Sequence, residues 1–249
     1  MTPSFSRRFL GSLQFLTVLP IRADTSSPSD AAIFFPLTGA LIGAFAALIA
    51  WSSSLVFDRS LGALLAVIGL TWISGGLHED GLADVADAVR AGRSRDRILQ
   101  ILKDSRIGAY GAMAVILSIL LRWQAISFLT RPLIPGIAAV VALSRASMVI
   151  AGGTTPAIGS GLGHAFVSGC SRAIVLAVLA QTIAVIVAFG IYAGYGRALA
   201  LAGASGVALW IVRSWFVRRL GGMNGDCLGA VCQAVEVTGL LVLAWHKSF

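Results

Sequence analysis

AIFFPLTGALIGAFAALIAWSSSLVF, residues 32–57, has no charged side chain and exceeds the ~20 apolar residues that carry an α-helix across a bilayer core. Comparable runs follow at 61–77, 107–129, 132–151, 173–193, 198–213 and 226–245. In hydrocarbon, backbone N–H and C=O groups must be satisfied within the segment itself, so these runs predict helices. The expected fold is all-α, a polytopic transmembrane helix bundle of about seven spans, with six to eight compatible with the pattern. The run at 61–77 is short and is expected to continue past Gly75 and Gly76 into the polar stretch beyond. Gly39, Gly43, Ala47 and Ala50 share a small-residue face on which a neighbouring helix can approach closely.

The rest of the composition agrees. The chain is 57% hydrophobic and 12% charged, with a mean hydropathy of +0.87, whereas soluble domains carry about 25% charged residues. A soluble core is excluded, and residues 1–249 read as a single integral membrane catalytic domain. The net charge of +8 and pI near 10.4 do not point to nucleic acid, because the basic residues are scattered at the ends of apolar runs rather than gathered on a soluble face. The lipid bilayer is the expected partner. Cys170, Cys227 and Cys232 lack metal-ligand spacing and read as small apolar residues. Residues 1–20 resemble a signal peptide only superficially: the apolar stretch is broken by Gln14, ends at Pro20 and lacks a small-x-small cleavage site. An N-terminal amphipathic or interfacial segment fits better.

With the N-terminus inside, segments 1–31, 78–106, 152–172 and 214–225, with Arg213 at the last boundary, carry 3, 6, 1 and 3 Lys or Arg, against four (Arg59, Arg131, Arg197, Lys247) on the other side. This positive-inside bias places all four segments at the cytoplasmic face.

Six of the eleven acidic residues fall between Glu79 and Asp104, within GGLHEDGLADVADAVRAGRSRDRILQILKDSRIGAYG, residues 75–111. Asp80, Asp84 and Asp87 stand at i, i+4 and i+7, on one helical face. Like charges this close call for a cation, and with Glu79 they form an oxygen-rich candidate site for Mg²⁺ or Mn²⁺. The plainer alternative is a solvated acidic face, but carboxylates beside membrane spans are seldom incidental. His78 points away from Asp80 and suits a substrate or cofactor contact better than metal ligation. Asp104, flanked by Lys103 and Arg106 and followed by Gly108 and Gly111, suits phosphate recognition at a helix start.

A third element, RLGGMNGDCLGA (219–230), holds Gly221, Gly222, Asn224 and Gly225 in a loop able to approach a phosphate or metal closely, with Asp226 opening the last span. Glu236, ten residues into that span, is either functional or the partner of a buried Arg such as Arg145. Arg145 itself could reach a substrate phosphate, and Arg122 lies deeper without an evident partner. The loop 152–166 is polar and glycine-rich enough to form a lid or a nucleotide-contacting loop.

FLTVLPI (15–21), FFPLTGALIGA (34–44), GGLHEDGLADVADA (75–88), ILKDSRIGAYG (101–111) and GGMNGDCLGA (221–230) together resemble the cobalamin synthase family, the adenosylcobinamide-GDP ribazoletransferases. The resemblance runs nearly end to end, with Asn224 where Thr is more usual and Ala88 where Gly is common. It implies a multi-pass enzyme of the bacterial cytoplasmic (inner) membrane, needing Mg²⁺ and facing the cytoplasm. Adenosylcobinamide-GDP and α-ribazole, or its 5′-phosphate, would give adenosylcobalamin, or its phosphate, with release of GMP. Asp80, Asp84, Asp87 and Glu79 would hold metal, Asp104 or Asp226 would act as base, and Lys103 and Arg106 would hold phosphate. A homo-oligomer or association with other cobalamin-assembly enzymes is compatible with this.

Two other functions compete. A CDP-alcohol phosphotransferase also gathers aspartates on membrane helices, but its pattern needs an Ala-Arg pair after Asp-Gly, and here Asp80-Gly81 is followed by Leu82-Ala83-Asp84 with no Arg. A secondary transporter would use Asp84 and Glu236 as coupling carboxylates, yet no inverted repeat is visible.

Overall fold

The computed structural model describes residues 4–23, 27–91, 94–102, 104, 106–129 and 133–245. Eleven α-helices are present among them, and no strand. α1 (Phe5–Leu16) begins at an N-cap where the Ser4 hydroxyl accepts from the Arg7 amide, and buries only Gly11, Ser12 and Leu16. Phe5 and Leu10 on its other side are exposed, as suits a helix lying along an interface. A 3₁₀ segment, Pro28–Phe34, leads into α2 (Phe35–Ser53). α3 (Arg59–Ile73) is capped by Asp58, whose carboxylate accepts from the Leu61 amide at 2.8 Å.

The chain then turns. Ser74 ends α3, and Gly75 and Gly76 take positive φ of 62° and 70°, conformations closed to most side chains. α4 (Leu77–Ala91) departs at 88° to α3. The run at 61–77 was expected to continue past the glycines, and helix does resume there, but as a separate piece in a new direction. α5 (Arg95–Ile101), α6 (Ala109–Phe128) and α7 (Leu133–Gly152) follow. α8 (Leu162–Gly169) is a short helix within the stretch that reads from sequence as a polar lid. α9 (Arg172–Ala193), α10 (Tyr195–Leu220) and α11 (Gly225–Leu243) complete the bundle. α10 outruns its apolar stretch because Arg213 reaches back to Thr154, its Nε donating to the hydroxyl at 2.9 Å. The cation ends the apolar run without ending the helix.

Six helical segments are long and apolar enough to span, and the bent α3–α4 pair brings the count to seven. The α2–α7 interface depends on the small residues: a Cβ on Gly39 would lie 2.6 Å from the Val141 carbonyl oxygen, and one on Gly43 2.7 Å from Ala138 Cα. Backbones this close maximise dispersion contacts where lipid offers no hydrophobic drive.

The segments carrying the positive charge excess meet at one end of the bundle. The Val18 amide donates to Ile73 at the end of α3, the Ile158 amide donates to the Met223 carbonyl while the Met223 amide donates to that of Pro156, and Arg95 Nε donates to the Leu220 carbonyl. All three cysteines are free and buried.

Candidate active site

Gly81 sets the site. On α4 it faces the start of α11, where a Cβ would lie 2.8 Å from the Asp226 carbonyl oxygen. The missing side chain lets the acidic face of α4 sit directly on the N-terminus of α11. Asp84 consequently lies in the electrostatic field of Asp80, Asp226 and Asp87, in that order, and Asp226 in that of Asp80. Carboxylates from separate stretches of sequence thus gather in one place.

Asp87 has a different task from its neighbours. Its two oxygens accept from the backbone amides of Gly108, at 2.7 Å, and Gly111, at 2.9 Å. These are unpaired amides at the start of α6, so the carboxylate caps that helix and meets the positive end of its dipole. The glycines expected to greet a substrate phosphate are therefore filled by Asp87: a Cβ on Gly111 would lie 2.4 Å from its Oδ2.

The 221–225 loop is held on three sides. Gly221 adopts φ 74° at the end of α10. Met223 donates its amide to the Pro156 carbonyl at 2.9 Å, and the Cβ that Gly222 lacks would lie 2.3 Å from that oxygen. Gly163 at the start of α8 touches Gly225 backbone to backbone, leaving no room for a Cβ at 163. Asn224 caps α11, its Oδ1 accepting from the Cys227 amide at 3.0 Å, and its Nδ2 donates to Asp226 Oδ2 at 2.8 Å. A residue expected to contact substrate thus orients the carboxylate beside it.

Glu79 and Arg145 turn the other way, into the bundle. Arg122 pairs with Glu79 at 2.9 Å and with Glu236 at 3.1 Å, and Arg145 donates to the same Glu236. Arg122, Arg145 and Glu236 are at most 2% exposed and Glu79 is 6% exposed. Ser144 and the Ser118–Gln233 pair, at 2.8 Å, extend this polar network. Arg122 does have partners, then, and Arg145 spends its charge on Glu236, the structural alternative anticipated for that acid. Two cations balance two anions, the arrangement that makes buried charge tolerable. Glu79 is thereby separated from the Asp80–Asp84 face. His78 is fully buried, with both ring nitrogens lacking a hydrogen-bonding partner among the described residues.

Asp104 stands apart. Arg106 grips its carboxylate with Nε at 2.9 Å and Nη2 at 2.7 Å. Those hydrogen bonds hold its pKa well below the usual carboxylate range, at about 2. Lys103 and Arg93 lie outside the described residues.

For Mg²⁺ the donor chemistry fits. Asp80, Asp84 and Asp226 offer hard carboxylate oxygens from two facing helices, yet no three His, Cys, Asp or Glu side chains among the described residues close into a metal cage. Mg²⁺ ordinarily takes one or two protein carboxylates and completes its shell with water and substrate phosphate, so an open pair suits it better than a cage. Spacing alone revealed neither the Gly163–Gly225 contact nor the Asn224–Asp226 bond. Arg122, a lone cation within a span, was the visible signal for the buried network.

The cobalamin-5-phosphate synthase family model matches residues 8–244. The chain belongs to that family. Relatives named adenosylcobinamide-GDP ribazoletransferase include one from Bradyrhizobium diazoefficiens, 36% identical over 92% of this chain and 90% of its own length. One from Chlorobium chlorochromatii is 35% identical over 96% and 97%, and one from Geotalea daltonii 32% over 95% and 96%. No solved structure matches. The five quoted sequence blocks all fall wholly within the matched residues.

Proposed function

We propose that this membrane enzyme joins the cobinamide phosphate of adenosylcobinamide-GDP to α-ribazole or its 5′-phosphate, releasing GMP, which is the nucleotide-loop assembly step of cobalamin biosynthesis. The observation that carries the assignment to this site is the seating of the α4 acids on Asp226, allowed by Gly81. A ribazole hydroxyl oxygen attacks the cobinamide-linked phosphorus, the bond from that phosphorus to the bridging oxygen of GMP breaks, and GMP departs with that oxygen. The hydroxyl proton passes to a carboxylate. Asp226 is the better placed of the two candidate bases, since it lies with the acid group and is aimed by Asn224. Asp104 is engaged by Arg106 at both oxygens.

Asp80 and Asp84 are the residues to hold Mg²⁺, which when bound supplies neutralisation of the anionic diphosphate and leaving group. Asp87 keeps α4 and α6 in register around them. Lys103 and the largely exposed Arg106 are suited to draw phosphate oxygens toward the site. Thirteen of the seventeen basic residues outside Arg122 and Arg145 lie in the segments at this end, which supports a site facing the cytoplasm at the bacterial inner membrane.

The deciding experiment incubates the purified chain with adenosylcobinamide-GDP, α-ribazole and Mg²⁺ and analyses products by mass. A cobamide together with stoichiometric GMP is expected; folded protein that yields neither would overturn the assignment. Metal-dependent release in detergent, with no gradient present, also separates this function from transport.

A further inference from the structure

Beside the acid group lies a cavity of about 140 Å³, reached by α1, α4, α7, α8 and α11. Much of its wall is apolar: Phe15, Leu77, Met148, Leu162 and Phe166. Phe15 and Phe166 stack with ring centroids 5.7 Å apart, and the fully buried Phe35 backs both rings, at 5.4 Å from each. Among the described residues, the ionisable side chains on the wall are His78, Asp80 and Asp226. Two of these belong to the reacting group above. His78 does not, yet it is fully buried with both ring nitrogens lacking a hydrogen-bonding partner among the described residues. A buried polar group left so is destabilising, which calls for a ligand that satisfies it.

We propose that this cavity seats the uncharged bicyclic base of the incoming nucleoside, packed against Phe15 and Phe166, with His78 donating a hydrogen bond to the base's free ring nitrogen. The proposal rests on the function assigned above and adds the acceptor's binding subsite to it. An alkylated benzimidazole suits the wall because, once joined to its sugar, it keeps a single polar atom, an acceptor nitrogen. A neutral imidazole has a single N–H to give. Guanine, the other planar base in the reaction, presents a carbonyl, an amino group and a ring N–H on one edge, and the apolar wall offers these no partners. A nucleoside seated by its base here brings its sugar hydroxyls beside Asp80 and Asp226, where the attacking oxygen must lose its proton.

The test compares α-ribazole with the matched indole riboside, in which C–H replaces the free ring nitrogen. Steady-state kinetics use the purified full chain in detergent, with adenosylcobinamide-GDP and Mg²⁺. The unmodified chain is expected to favour α-ribazole in kcat/KM by roughly fivefold, the scale of one neutral hydrogen bond, and His78→Phe to abolish that preference. Phe15→Ala is expected to raise the KM of both nucleosides roughly fivefold, the scale of one aromatic contact, without moving the KM of adenosylcobinamide-GDP. No preference in the unmodified chain, or one that survives in His78→Phe, would overturn the proposal. So would a Phe15→Ala effect confined to adenosylcobinamide-GDP, which would mark a guanine seat. Should His78→Phe not fold, the nucleoside comparison and Phe15→Ala decide. An unmodified chain that forms no product with any nucleoside would instead remove the function on which the subsite rests.

Discussion

The Asn224 side-chain amide donates to the Asp226 carboxylate at 2.8 Å while its other end caps α11. One residue therefore starts the last span and aims the acid proposed to receive the proton. Asn224→Ala should destabilise the protein by about 1 kcal/mol, as loss of an N-cap does, and should lower kcat more than stability alone explains. Asn224→Thr keeps a capping oxygen and should retain most activity. Thermal unfolding in detergent alongside kcat separates the two effects, and an Asn224→Ala variant with full turnover would remove the orienting role.

Asp84 is surrounded by three other carboxylates, so its charge is sustained by what it binds. Asp84→Asn should depress GMP release by about a hundredfold or more, the scale on which one preorganised electrostatic group acts, and should raise the Mg²⁺ concentration needed for half-activation. Asp87→Asn should mainly loosen the α4–α6 junction, showing as reduced thermal stability. Near-normal turnover in folded Asp84→Asn would exclude it from the metal site.

Asp104 is held at about 2 by the hydrogen bonds of Arg106. A carboxyl whose folded value is depressed stays ionised below its ordinary range and loses its pairing only as pH falls toward 2. Between pH 5 and 9 it does not titrate, so Asp104→Asn should leave the shape of the pH–rate profile unchanged. An acidic limb that disappears in Asp104→Asn would return the role of base to that residue.

The four buried charges form one unit. Glu236→Gln leaves Arg145 and Arg122 short of an anion and should destabilise the bundle by about 3–5 kcal/mol, the usual consequence of removing one partner from a buried pair. Unfolding in detergent measures it, with little change expected from Arg97→Ala on the exposed surface of α5.

Two glycines give a paired test of close packing. Gly163→Ala would push a Cβ into the backbone of Gly225, whereas Gly203 on α10 has nothing within 4 Å of the position a Cβ would take. The first should lose both stability and activity; the second should be neutral or gain up to about 1 kcal/mol from helix propensity. Similar behaviour of the two variants would show that the α8–α11 contact is dispensable.

The spans were legible because a bilayer enforces them: a run such as 32–57 has no other way to satisfy its backbone. The run at 61–77 was expected to continue past Gly75 and Gly76, and nothing in its apolar pattern gave the 88° turn found there, which comes from what α4 packs against. That turn carries Glu79 to Arg122 across 43 residues of chain, a meeting no local periodicity encodes. Likewise, helical spacing put Asp87 beside Asp80 and Asp84, yet its oxygens are taken by α6. Glu236 and Arg145 were a readable pair because each was a lone charge at depth in need of an opposite.

The seating of Asp226 against Gly81 has a consequence for biosynthesis. The acids of α4 leave the ribosome well over a hundred residues before the carboxylate that completes their arrangement, and every span from α6 to α10 must be inserted in the interval. A nascent chain halted before α11 holds Asp80 and Asp84 without their counterpart and Arg145 without its anion. The proposed site is thus complete only once the final helix is in place, and a prematurely terminated product keeps Arg145 without its Glu236 partner.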